Sequence, residues 1–132
     1  MGDFTRGSAK SFSPKLFEFK VLVLEQRNGD RSYFAAQCLT YDLVAEGETL
    51  SEVLNSLERV IRIQIAFDLR NGIEPFSAFA SAPKEYWQQY EDISESEIKA
   101  FAFNVQSEAE HEQEGDSDLL SVSGVGMMKL AA

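Results

Sequence analysis

The feature that most constrains this chain is a turn. Arg27-Asn28-Gly29-Asp30-Arg31 separates two runs of alternating hydrophobicity, and it places Asn28 and Gly29 where a tight hairpin needs left-handed backbone. The two runs must therefore pair antiparallel. In the first, Leu16 to Leu24, Phe17, Phe19, Val21 and Val23 share one face while Glu18 and Lys20 lie on the other. Its last residues, Leu22 and Leu24, are apolar where the alternation calls for polar side chains, which points to cover on both faces. The second run, Ser32 to Leu39, is the return strand.

A third extended piece spans roughly Tyr41 to Glu46, and Gly47 ends it. The period then changes from two to between three and four. Thr49 and Glu52 have the capping-box spacing, and behind them Leu50, Val53, Leu54, Leu57, Ile61, Ile65 and Leu69 form one helical face, widened by Val60 and Phe67. Glu58, Arg59, Arg62 and Asp68 are polar positions on this helix. Asn71-Gly72 supplies a left-handed end and Pro75 blocks continuation. A helix of about 22 residues is about 33 Å long at 1.5 Å per residue, so it must lie across a sheet.

Beyond Pro75 a Ser/Ala connector leads to Pro83, which opens a short helix, KEYWQQYED, with Tyr86, Trp87 and Tyr90 on adjacent turns. The trio reads either as a lid packed on the domain or as an aromatic platform for a ligand or partner. In ISESEIKAFAFNVQ two templates compete: Ser94 with Glu97 imitates a capping box, whereas Phe101, Phe103 and Val105 alternate. The strand is favoured, because Phe and Val suit it. Ser107 to Asp118 is acidic and aperiodic, and LLSVSGVGMMKLAA has no clear period. Disorder, or docking on a partner, is expected there. The closing Leu-Ala-Ala resembles the end of bacterial degradation tags, which require an unstructured terminus.

Charge is uneven along the chain. Residues 1–90 carry 12 acidic and 10 basic side chains, whereas residues 91–118 carry 10 acidic and one basic. A near-neutral body with an acidic tail lacks the cationic surplus that phosphate neutralisation demands, and suits a basic protein partner better. One cysteine, Cys38, and one histidine, His111, exclude an internal disulfide and a zinc finger, and His111 sits among acidic residues that argue against a role as catalytic base. No cofactor is expected. No apolar stretch has signal-peptide or membrane-span length, which makes a cytoplasmic protein the expectation.

The order strand, hairpin, strand, strand, long capped helix resembles the HicB family of antitoxin-like proteins. The likeness runs over about residues 15–72 and is most specific at Gly47-Glu48-Thr49-Leu50-Ser51-Glu52-Val53-Leu54, similar to the glycine, threonine and glutamate that begin the family's helix. PKEYWQQY and KAFAFNV also look like C-terminal additions of some stand-alone relatives. The resemblance implies a partial ribonuclease-H-like sheet with one long helix on a face, a homodimer, and neutralisation of a small basic RNA-cleaving toxin, HicA. It does not extend to a DNA-reading module: Lys84, Lys99 and Lys129 do not make the basic helix such a module needs, so DNA binding is disfavoured.

The expectation is thus an α+β protein: a flexible lead-in over residues 1–14, a HicB-like domain over 15–105, and a disordered acidic tail over 106–132. The domain has an antiparallel three- or four-stranded sheet, the long helix and a short second one. Candidate partner contacts are Asp42, Glu46 and Glu48 by the family-like turn and the aromatic trio, with Asn28, Gly29, Gly47, Thr49, Glu52 and Gly72 as structural positions. The alternative is a nucleic-acid-acting regulator or a small ribonuclease-H-like enzyme. Glu18, Glu25, Asp42, Glu46 and Glu48 are its carboxylate candidates for divalent metals, although fold alone does not carry function across.

Overall fold

The Asn-Gly hairpin forms, with its turn one residue later than the sequence places it. Asn28 still pairs with Arg31 at the end of the ladder, and Gly29, at φ 69°, takes the first central position of the two-residue loop. Only the glycine has left-handed backbone there, the position at which type II′ hairpins demand it. The computed structural model describes residues 15–108 and 119–131. The elements are β1 (Lys15–Asn28), β2 (Arg31–Cys38), β3 (Leu43–Gly47), α1 (Leu50–Arg70), α2 (Lys84–Asp92), β4 (Ile98–Glu108) and β5 (Leu119–Ala131).

The fold is α+β, as expected, but the sheet is not. Among the described residues five strands lie in the order β3-β2-β1-β5-β4, and β5 runs parallel to β1 while the other neighbours are antiparallel. The sheet is therefore mixed. The segment expected to be disordered after residue 118 is instead an internal strand, paired with β1 from Lys15↔Val122 to Leu24↔Ala131 and with β4 on its other side. The likeness of its last residues to a frayed tag fails for the same reason, since Leu130 and Ala131 pair with Val23 and Leu24. A domain ending at residue 105 omits this strand. The expected lead-in, residues 1–14, and the acidic stretch 109–118 lie outside the described residues.

Glycine made β5 hard to read and is also what fits it into place. A Cβ at Gly124 or Gly126 would come within 2.4 Å and 2.3 Å of the rings of Phe103 and Phe101. The rings of β4 thus lie over bare backbone of β5, a use of strand glycine that only the neighbouring strand reveals. The competition over residues 94–105 is resolved as a strand, β4.

Helix α1 caps as the sequence dictates. Thr49 Oγ1 accepts from Glu52 N–H at 3.1 Å, while Glu52 Oε1 accepts from Glu48 N–H at 2.9 Å, one residue before the cap. At the other end Gly72, φ 69°, donates to Leu69 O at 3.1 Å and Ile73 donates to Asp68 O at 2.8 Å, a Schellman closure. The helix lays Val53, Leu57, Ile61 and Ile65, all fully buried, against Phe19, Val21, Val23, Ala36 and Cys38 of the sheet. The same core holds Phe101, Val105, Val122 and Met128 from the late strands. Val60 and Phe67 do not widen this face; they are 40% and 52% exposed.

The opposite sheet face carries a second cluster. Leu22 and Leu39 pack with Ala82 and Tyr90, with Leu24, Tyr86, Trp87 and Ile93 around them. The two-sided cover read from Leu22 and Leu24 is thus provided by α2.

Candidate functional site

The sheet has two edges, and β3 is the shorter, five residues long. Leu43 and Ala45 turn towards the α1 core, and Val44 and Glu46, alternating with them, are exposed. Strand β3 pairs only with Phe34 to Cys38, so Arg31, Ser32 and Tyr33 of β2 extend past it with β1 on one side and, among the described residues, no strand on the other. Backbone donors and acceptors on such a margin are open to an added strand.

The three acidic candidates are arranged along this margin. Asp42, exposed and at φ 56°, stands in the turn before β3 and accepts from Gln37 Nε2 at 2.8 Å. Glu46 is exposed, with no ion pair or hydrogen bond among the described residues. Glu48 pairs with Arg31 at 2.8 Å, both side chains about two-thirds or more exposed, so the pair contributes little to stability. Gly47 lets the strand pass close beneath the first turn of α1: a Cβ there would stand 2.9 Å from Val53 N. A depression of about 400 Å³ opens beside these residues, lined by Asn28, Arg31, Tyr33, Glu46 and Glu48. The structure therefore gathers the hairpin end and two of the three acidic candidates around one concavity, with Asp42 at the far end of β3.

The aromatic trio is placed differently. Tyr90 is 3% exposed, and its hydroxyl donates to Glu97 at 2.5 Å. Tyr86 and Trp87 are half-buried against the second cluster, and Trp87 Nε1 donates to Ser81 Oγ at 2.8 Å. The geometry is that of a lid, with Tyr90 out of a ligand's reach.

Glu97, which in the sequence has only the spacing of a cap, is the centre of a charged network on the second face. Lys20 Nζ lies 2.6 Å from its Oε2 and 3.5 Å from Glu18. The hydrogen bond from Lys20, then that from Tyr90, hold the Glu97 carboxyl below its usual range; the bond to Glu97 likewise raises Lys20. Burial, then the neighbouring carboxylate, drive Tyr90 upward, so it stays neutral. Lys129 Nζ lies 4.7 Å from the centre of the Tyr90 ring and donates to Tyr90 O in the last turn of α2 at 3.3 Å and to Ile93 O just beyond it at 3.1 Å. The signal in the sequence was Glu97's position three residues after Ser94, which imitates a cap.

Of the metal candidates, Glu18 lies on the face opposite the Phe19 core and pairs with Lys20, while Glu25 is exposed opposite Phe34 in the β1–β2 ladder. Among the described residues no group of three or more His, Cys, Asp or Glu is placed to hold a metal ion. Burial pushes the Cys38 thiol up to about 11, which leaves it protonated and inert. Among the described residues no helix is long and apolar enough to cross a membrane. No protein-family model, curated protein or solved structure matches the chain.

Proposed function

We propose that this chain is a non-catalytic, antitoxin-like binding module that takes a small basic protein, such as an RNA-cleaving toxin, on the β3 margin. The observation that carries this reading is a strand edge left uncovered among the described residues, with exposed carboxylates at Asp42 and Glu46. An extended basic segment would add main-chain hydrogen bonds to β3 or to the overhang at Arg31 to Tyr33, and set its cations against the carboxylates. The apolar contact would come from Val44, 54% exposed. The sequence resemblance over residues 15–72 supports the same class.

The test is co-expression with a candidate basic toxin encoded beside this chain. Growth should be rescued, and Asp42→Lys, Glu46→Lys and Glu48→Lys together should weaken the rescue. Rescue that survives the triple reversal moves the contact elsewhere.

A homodimer belongs to the same proposal. Both sheet margins, β3 and the longer β4, lack a further strand among the described residues, and pairing of one margin with its copy would cover it. Light scattering at micromolar concentration should give about twice 14.8 kDa. A mass of one chain removes the dimer.

A further inference from the structure

The residues that failed to widen the core face of α1 form a surface of their own. Val60, Ile63 and Phe67 are 40%, 61% and 52% exposed, spaced three and four apart, so they make one apolar stripe along successive turns. Ile73, 41% exposed, lies just beyond the helix end. On the helix from Arg59 to Arg70 the exposed charges are all cationic, Arg59, Arg62 and Arg70, while the exposed Glu74 follows Ile73 beyond the helix end. Asp68 is buried, and Glu58 is mostly covered and faces Arg62 at 3.5 Å. Arg59 and Arg70 have no ion-pair partner among the described residues. A chain of net charge −10 thus carries a basic, apolar strip on its longest helix. Alongside it, a trough of about 430 Å³ runs between α1 and β4, lined by Asn55, Arg59, Arg62, Ile63, Ala66 and Val105 and by Glu58, whose charge Arg62 offsets.

We propose that this face of α1 docks an acidic amphipathic helix of a partner protein, at a surface distinct from the β3 margin. The spacing of Val60, Ile63 and Phe67 matches apolar side chains at helical intervals on the partner, the trough accepts a bulky one, and the arginines take flanking carboxylates as bidentate pairs. Charge selects among the alternative occupants. A second copy docked by the same face would set Arg59, Arg62 and Arg70 against their own like charges. An anionic bilayer would attract three arginines and repel a chain whose net charge is −10. A nucleic acid would leave the apolar stripe uncovered, because phosphates engage only the arginines.

The probe is a fluorescein-labelled helical peptide of about 18 residues, five turns, with Leu at i, i+3 and i+7 and Glu flanking them, titrated with the full chain by anisotropy. Micromolar binding is expected, about tenfold weaker for Arg59→Glu with Arg62→Glu and weaker again for Ile63→Ser, all of them exposed positions whose circular dichroism should stay unchanged. Glu46→Lys should leave it unaffected, which separates this surface from the β3 margin. A scrambled peptide of the same composition should bind worse, as the stripe requires. Absence of binding up to about 100 μM overturns the proposal, as does binding indifferent to the arginine reversal. Two further outcomes also overturn it by naming another occupant: loss of a dimer on Ile63→Ser in sedimentation, or co-sedimentation with phosphatidylserine vesicles abolished by Arg59→Glu.

Discussion

Asp68 shows how one carboxylate can hold a loop. It is 5% exposed; its Oδ2 accepts from Phe76 N–H at 2.9 Å and its Oδ1 from Gln64 Nε2 at 3.0 Å. Phe76 sits at φ 65°, a region that a bulky residue adopts only when its surroundings hold it there. Here they do: its ring stacks on Tyr41 at 4.4 Å and meets Phe17, Phe19 and Phe79 edge-on. Asp68→Ala should leave the Phe76 N–H buried without an acceptor and cost about 1 to 3 kcal/mol in a urea titration. The helix spacing placed Asp68 only as one polar position among several. What the sequence does not display is the acceptor's target, since Phe76 comes eight residues later, beyond a proline, in a connector of no regular period.

At the scale of elements, signals that lie within a few residues of one another are legible in the sequence and long-range ones are not. The cap of α1 is legible because its donors and acceptors all lie within five consecutive residues, from Glu48 to Glu52. Thr49→Ala should therefore cost about 1 kcal/mol, read as a lowered denaturation midpoint at unchanged slope. Helix α2 was legible in extent but not in its anchor, for Glu97 joins it to Lys20 on a strand 77 residues earlier. That anchor is pH-dependent. Glu97 titrates below its ordinary value when folded, so its contribution is present above the unfolded carboxylate range and is lost as pH falls through the lowered value. Lys20, raised, loses its share only in strong alkali, as pH climbs through its folded value. Trp87, the single tryptophan, reports on the lid. Its emission should shift red on acidification below the carboxylate range. Glu97→Gln should loosen α2 already at neutral pH and flatten that acid dependence. An acid transition of equal size in the variant would place the pH sensitivity elsewhere.

For the whole molecule, the decisive unread feature was β5. Its alternation was present: Val122, Gly124, Gly126 and Met128 face the α1 core and Lys129 the other side. Two glycines on the core face hide it, because propensity counts them against a strand and their purpose appears only under Phe101 and Phe103. The Asp42, Glu46 and Glu48 margin was legible from the turn beside it, whereas its standing as a sheet edge depends on where β5 enters. Had β5 joined beside β3, the margin would be closed. This strand also decides what can fold alone. A chain cut after Val105 keeps the hairpin, β3, both helices and most of β4, and by local signals looks complete. It lacks the strand that joins β1 to β4, so Phe101 and Val105 lose the neighbour that holds them over the core, and β1 gains an open edge from Lys15 to Leu24. The truncated chain should show no cooperative thermal transition and should aggregate. Gly126→Ala in the full chain should instead fold with a lowered midpoint, since its Cβ would meet a ring that can shift, at a cost of about 1 to 3 kcal/mol. Cooperative unfolding of the truncated chain would make β5 an appendage rather than part of the core.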